Sequence, residues 1–140
     1  LVGSEMCIRD SYDREHAAFG KTPNRFGMIM TEAAYSGGQE WLDQLMHYLE
    51  KNKSLFTNAM KSLNNVKVFD LESTYLAWVD FSQLDITEFE LKNMLIKEAG
   101  VAPSFGRGFG KNSGKFARFN IACRTEILDL AIKRLTKTFL

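Results

Sequence analysis

An α/β (α+β) domain is predicted, with a mixed sheet, helices packed on one face of it, and one long helix besides. Three observations carry this. Apolar residues recur at three- and four-residue steps over 38–63, 87–99 and 125–138, the spacing of amphipathic helices. Residues 116–121 alternate strictly, with Phe116, Arg118 and Asn120 on one side and Ala117, Phe119 and Ile121 on the other, the period of a strand with one covered face. The segments follow one another as helices, β, β, α, β, β, α.

Each element has a local reason. Residues 12–24 are polar, contain Gly20 and the turn-like Thr22-Pro23-Asn24, and read as loop. Asn24 is placed to cap a helix through Phe26, Met28, Ile29, Met30 and Ala33. Ser36-Gly37-Gly38 interrupts that helix. A longer one then carries Trp41, Leu45, Leu49, Phe56, Met60 and Leu63 on one stripe. At 1.5 Å per residue it would span about 40 Å, a length that suits a helix bridging two lobes. Asn64-Asn65 makes a turn, and 66–69 and 75–81 read as strands. Thr87 opens a helix with Glu90 at the capping-box position. Gly100 ends it as a C-cap. Val101-Ala102 reads as a short strand and 115–122 as a longer one. The last helix starts at Thr125 and ends in basic residues that suit its dipole.

The first eleven residues stand apart. LVGSEMCIRDS back-translates into DNA resembling the end of a transposase-based sequencing adaptor, so 1–11 is expected not to be native protein. Residues 1–11 are accordingly set apart from the fold, and the remaining residues suit one domain, or one domain plus an element borrowed from a neighbour. Of the 140 residues 45% are hydrophobic and 12% aromatic, the composition of a chain with a real core. A net charge of +1 gives no reason to expect nucleic acid. No apolar run approaches the ~20 residues of a membrane span. With Cys7 set aside, Cys123 has no internal disulfide partner, which fits a reducing cytoplasm, and between Ile121-Ala122 and Arg124 it reads as a small buried filler. Tyr75 and Trp78 read as core residues facing opposite ways, and Glu88, Glu90, Lys92, Lys97 and Glu98 as a solvated helix face.

The chemistry concentrates in 100–124, GVAPSFGRGFGKNSGKFARFNIACR. Arg118 projects beside a glycine-studded loop. Guanidinium is a planar fork of donors that matches a carboxylate two bonds at a time and keeps its charge at neutral pH. An ion pair within the fold is the commoner use of a strand arginine, so the residue type alone leaves both roles open.

The loop and strand together resemble the C-terminal part of pyridoxal-phosphate enzymes of the class I/II aminotransferase family. TEAAYSGGQEWLDQLMHYLEKN (31–52) and ESTYLAWVDF (72–81) resemble its MalY/PatB-like cystathionine β-lyase branch, the carbon–sulfur lyases. The resemblance implies that, after the adaptor at 1–11, residues 12–36 are the end of a large domain with an active-site loop and 37–140 the small C-terminal domain of a fold-type-I enzyme, with the long helix running between domains. It assigns the substrate α-carboxylate to Arg118 and matches Gly106, Phe109 and Gly110 to the loop. It also brings Asn24 and Tyr75 near the substrate pocket. Pyridoxal phosphate, a small amino-acid substrate and a homodimer are implied for the full-length enzyme, with an aminotransferase as the second reading. Ser73-Thr74-Tyr75, Phe105-Gly106, Pro103 and Arg107 depart from the family's usual residues. The catalytic lysine is expected upstream, because no lysine here follows a Ser-x-x-Lys pattern. The fragment alone is therefore expected to be inactive and, with apolar helices over 25–63, poorly soluble.

Other motifs fail on inspection. Arg107-Gly108-Phe109-Gly110 opens like an RNA-recognition strand, but Lys111 and Gly114 stand where base-stacking aromatics are needed. Gly114-Lys115 lacks a P-loop's first glycine, since Phe109 is there, and Phe116 replaces its Ser or Thr. No residue completes a dinucleotide-binding run from Gly106, Gly108 and Gly110. His16 and His47 are too far apart to suggest a metal site. A non-catalytic interaction module derived from the small lobe is the reading outside enzymology.

Overall fold

A computed structural model of the chain describes residues 5–19 and 23–140. It divides into two compact units, Leu1–Leu42 and Asp43–Leu140. No described helix is long and apolar enough to cross a membrane.

In the first unit, α1 (Glu5–Phe19) occupies much of what reads as adaptor and loop. This corrects the loop expectation over 12–19, while 20–22 and 1–4 lie outside the described residues. The physical reason is that 5–19 holds neither glycine nor proline, and places Asp10 four residues before Arg14. Tyr12 stacks on His16 one turn later, with ring centroids 5.6 Å apart. α2 (Arg25–Gly37) begins as expected: the Asn24 Oδ1 accepts from the Gly27 N–H at 2.7 Å. Gly38 caps its other end. None of its residues is buried, and Phe26, Met28, Ile29, Met30 and Tyr35 are all exposed.

α3 (Gln39–Lys61) contains the boundary between the units. At 1.5 Å per residue it is about 35 Å long. From it the second unit continues through β1 (Lys67–Val68), β2 (Leu76–Asp80), α4 (Glu88–Asn93), β3 (Ser104–Phe105), β4 (Phe116–Asn120) and α5 (Thr125–Phe139). The four strands stand in the order β1-β2-β4-β3, and every neighbouring pair is antiparallel. The mixed sheet expected from sequence is thus an antiparallel one. Order along the chain does not report strand direction: the connections let each strand run back beside its neighbour.

Helices cover one face. Ala77 and Val79 of β2 and Ala117 and Phe119 of β4 are buried there with Ile121. Against them pack Phe56 and Met60 of α3, Leu91 of α4, Leu95, and Leu128 and Leu135 of α5. Each fully buried side chain of this kind contributes about 1.5–3 kcal/mol. The Phe56 and Phe119 rings lie 5.3 Å apart.

Local features fix the ends of α4 and the place of β3. α4 starts with the expected capping box, the Thr87 Oγ1 accepting from the Glu90 N–H and the Glu90 carboxylate from the Thr87 N–H at 2.7 Å. After Asn93 the helix widens into a π-helical turn, Met94–Glu98, and Gly100 closes it at φ 64, a conformation glycine adopts without penalty. The short strand expected at 101–102 lies instead at Ser104–Phe105, where the register with β4 provides partners.

One clamp joins α3 to the end of β4. Asn52 is wholly buried; its amide donates to the Ile121 and Cys123 carbonyls, both at 2.9 Å, and accepts from the Thr125 hydroxyl at 3.0 Å. The Tyr48 hydroxyl accepts from the Thr125 N–H at 2.7 Å. Cys123 is half-buried against the core, so the filler reading holds in part.

Candidate carboxylate-binding site

Arg118 sits in the middle of β4, opposite Trp78 on β2 and Ser104 on β3. Pairing at that register places all three on the face that the helices leave open. Arg118 is half-buried, and its Nε is shut off from solvent with no hydrogen-bond partner among the described residues. A buried charged donor without a partner carries a desolvation cost, which an arriving acceptor relieves.

An aromatic ring lies against that guanidinium, and further rings continue from it along the face. The guanidinium carbon lies 4.6 Å from the centroid of the Phe109 ring. Trp78 meets the same ring edge-on at 5.4 Å and stacks on Phe116 at 5.7 Å. Phe116 in turn faces Phe69 at 6.5 Å, with the Lys67 ammonium 4.9 Å over the Phe69 ring. The open face is thus a row of rings with a cation set into it, apolar enough to strengthen any ion pair made there.

The loop after β3 brings Phe109 over. Gly106 opens it, and a Cβ there would strike the Ser113 carbonyl oxygen and Phe116, so the position admits only glycine without a shift. Arg107 anchors the loop to α4. Its Nε donates to both Glu88 carboxylate oxygens at 3.2 and 3.1 Å, its terminal nitrogen makes a further ion pair with Glu88, and its other arm reaches the Lys111 carbonyl. Those hydrogen bonds hold the Glu88 carboxyl below the usual carboxylate range and raise Arg107. Arg107 therefore already has its carboxylate, whereas Arg118 has none among the described residues.

Of the residues singled out from sequence, Arg118, Gly106 and Phe109 come together here. Tyr75 does not join them. It lies one residue before β2, 43% exposed, and lines a cavity of about 290 Å³ together with Leu45, Leu49, Leu71 and Ile121 among others. Asn24 caps α2 in the other unit. Neither Tyr75 nor Trp78 is a core residue. Trp78 is half-buried because its face carries no helix, and it belongs to the wall around Arg118. The Glu88–Arg107 pair was hidden as well: it links positions 19 residues apart, and Glu88 reads in sequence as solvated. Glu90 is engaged in its cap, and Lys92 lies 5.6 Å over the Phe105 ring.

No family model matches the sequence. Among curated proteins, the chain is 33% identical over 113 residues to the cystathionine β-lyase PatB of Bacillus subtilis, covering 80% of this chain and 29% of that protein. Among solved structures, it superposes on cystalysin of Treponema denticola with a TM-score of 0.81 and 25% identity, covering 94% of this chain and 34% of that one. The chain is similar to the C-terminal part of a family of pyridoxal-phosphate enzymes that holds both cystathionine β-lyases and aminotransferases. It spans about a third of the length of the relatives it matches, and corresponds to their C-terminal part. The family likeness extends to an LL-diaminopimelate aminotransferase of Protochlamydia amoebophila, 28% identical over 103 residues, with 74% of this chain and 24% of that protein covered.

Pyridoxal phosphate, which the family implies, meets only part of its needs in these residues. The orphaned Arg118 Nε fits the carboxylate of an amino acid held beside the cofactor. The loop's own lysine near that strand, Lys115, donates to the Leu84 carbonyl at 3.1 Å.

Proposed function

We propose that this chain is the carboxylate-gripping C-terminal part of a pyridoxal-phosphate-dependent carbon–sulfur β-lyase of the cystathionine β-lyase type. The observation that carries the reading is Arg118: a half-buried guanidinium on an open sheet face, set against the Phe109 ring, with a buried Nε lacking a partner among the described residues. The names borne by the lyase relatives support the reaction class. The substrate is a small amino acid with a β-thioether, and the intact enzyme is a homodimer of the cytoplasm. A lone Cys123 apart from Cys7 is in keeping with a reducing compartment.

Pyridoxal phosphate, when bound, supplies the electron sink for bond cleavage at the amino-acid α- and β-carbons. This chain's own contribution is orientation. Arg118 donates two parallel N–H bonds to the α-carboxylate and fixes the torsion that aims the Cα–H bond. Trp78, Phe109 and Phe116 keep water from that pair and so strengthen it. Asn24 and Tyr75 are proposed to line the pocket in the complete enzyme.

The test is Arg118→Lys in the intact enzyme. An ammonium cannot reproduce the fork, and kcat/KM for thiol release should fall about 100-fold, the loss of one charge-assisted bond. Unchanged kinetics would remove Arg118 from the site. The 140-residue chain alone, mixed with pyridoxal phosphate, should yield no stoichiometric borohydride-reducible lysine adduct. The aminotransferase likeness favours a second reading, in which the same arginine serves amino-group transfer. Release of a thiol with pyruvate, against exchange with a 2-oxo acid, separates the two.

A further inference from the structure

We propose that Phe109 is a positioning residue for Arg118, holding the guanidinium plane in the orientation that receives an α-carboxylate. The inference rests on the carboxylate reading of Arg118 and adds a residue that acts through it. Four observations carry it.

The Phe109 ring lies 4.6 Å from the guanidinium carbon, within cation–π range. The ring thus faces an arginine whose Nε makes no hydrogen bond among the described residues. A side chain with four rotatable bonds and no polar tether needs something else to select one rotamer. The ring itself is fixed. It stands edge-on to Trp78 at 5.4 Å, and its backbone N–H donates to the Gly106 carbonyl at 2.8 Å. The loop below it is pinned to α4 by Arg107 and Glu88. Finally, Phe109 is 51% exposed. A ring so placed contributes little core burial, so substitution acts chiefly on its contacts with the cation and with Trp78.

A carboxylate approaching in the plane of the fork leaves the guanidinium face to the ring. The two interactions therefore coexist on one cation, the acceptor at the edge and the π-system on the face. Removing the ring frees the guanidinium to turn toward solvent, where it must be reordered at each binding event.

The experiment compares an amino-acid substrate with its α-carboxamide counterpart in the intact enzyme, as the ratio of their kcat/KM values. Phe109→Leu keeps the bulk and removes the π-face; Phe109→Ala removes both; Phe109→Trp restores an aromatic face. Leu and Ala should each lower the ratio roughly 3- to 30-fold, the range of a partly desolvated cation–π contact, and Trp should recover most of it. Arg118→Lys run in parallel should collapse the ratio further. Equal losses on acid and amide, or full discrimination in Phe109→Leu, would overturn the positioning role while leaving Arg118 as the anchor. A ratio unmoved by Arg118→Lys would overturn the carboxylate reading and this inference with it.

Discussion

On the covered side of the β2–β4 pair, Ala77, Val79, Ala117 and Phe119 are closed to solvent under α3, α4 and α5. One residue over, Trp78, Phe116 and Arg118 are only half-buried, and the cation among them has a polar atom left without a partner. The same two strands thus serve two ends. The covered face is small and β-branched side chains plus one phenylalanine, interlocked with helices, and its purpose is stability. The open face holds large rings and a charge, and the arrangement there is poorer in burial and richer in chemistry. A sheet that separates these jobs by alternation can change one with little effect on the other, and four substitutions test how complete that separation is.

The largest effect is expected under the helices. Leu91→Ala leaves a cavity in the core and should cost about 2–5 kcal/mol in urea unfolding of the intact enzyme, with substrate discrimination preserved in the folded fraction. Gly106→Ala tests the seam between the faces. Its methyl would push on the Ser113 carbonyl and Phe116, and it should cost about 1–3 kcal/mol while also shifting the loop that carries Phe109. A silent Gly106→Ala would mean that the loop is not packed as described. Arg118→Leu sharpens the contrast most. It should leave stability within about 0.5 kcal/mol of the parent, or raise it slightly by removing the unsatisfied Nε, while amino-acid turnover is lost. A large drop in stability would show that Arg118 holds the fold together.

The smallest effect belongs to Glu88→Gln. The Glu88 carboxyl is depressed by its bonds from Arg107, so its contribution to stability is present above its ordinary value of 4.5 and disappears as pH falls through the lower folded value. Parent and variant should differ slightly in Tm at neutral pH and converge in acid. A gap that widens on acidification would reverse the sign and exclude the pair as its source.

Much of this was legible in the residues themselves. The alternation from Phe116 to Ile121 separates the two faces before any fold is seen, because a period of two has only one structural meaning over six residues. The Asn24 and Thr87 caps are visible because capping is local: donor and acceptor lie three residues apart. What escaped is what depends on partners distant in sequence. The antiparallel sense of the sheet, the place of β3 at 104–105 and the wall position of Trp78 all follow from register with β4. The Arg107–Glu88 pair spans 19 residues. α1 was missed for the opposite reason, since a charge-rich helix without an apolar stripe has no period to read.

The buried Asn52 gives the second unit a mechanical property. Its amide and the Tyr48 hydroxyl together grip the turn between β4 and α5 at three backbone groups, the Ile121 and Cys123 carbonyls and the Thr125 N–H. A helix gripped at two positions one turn apart cannot roll about its own axis without breaking both holds. Rolling α3 within this unit would therefore break both holds, and with them the tie between the helix and the end of the arginine's strand.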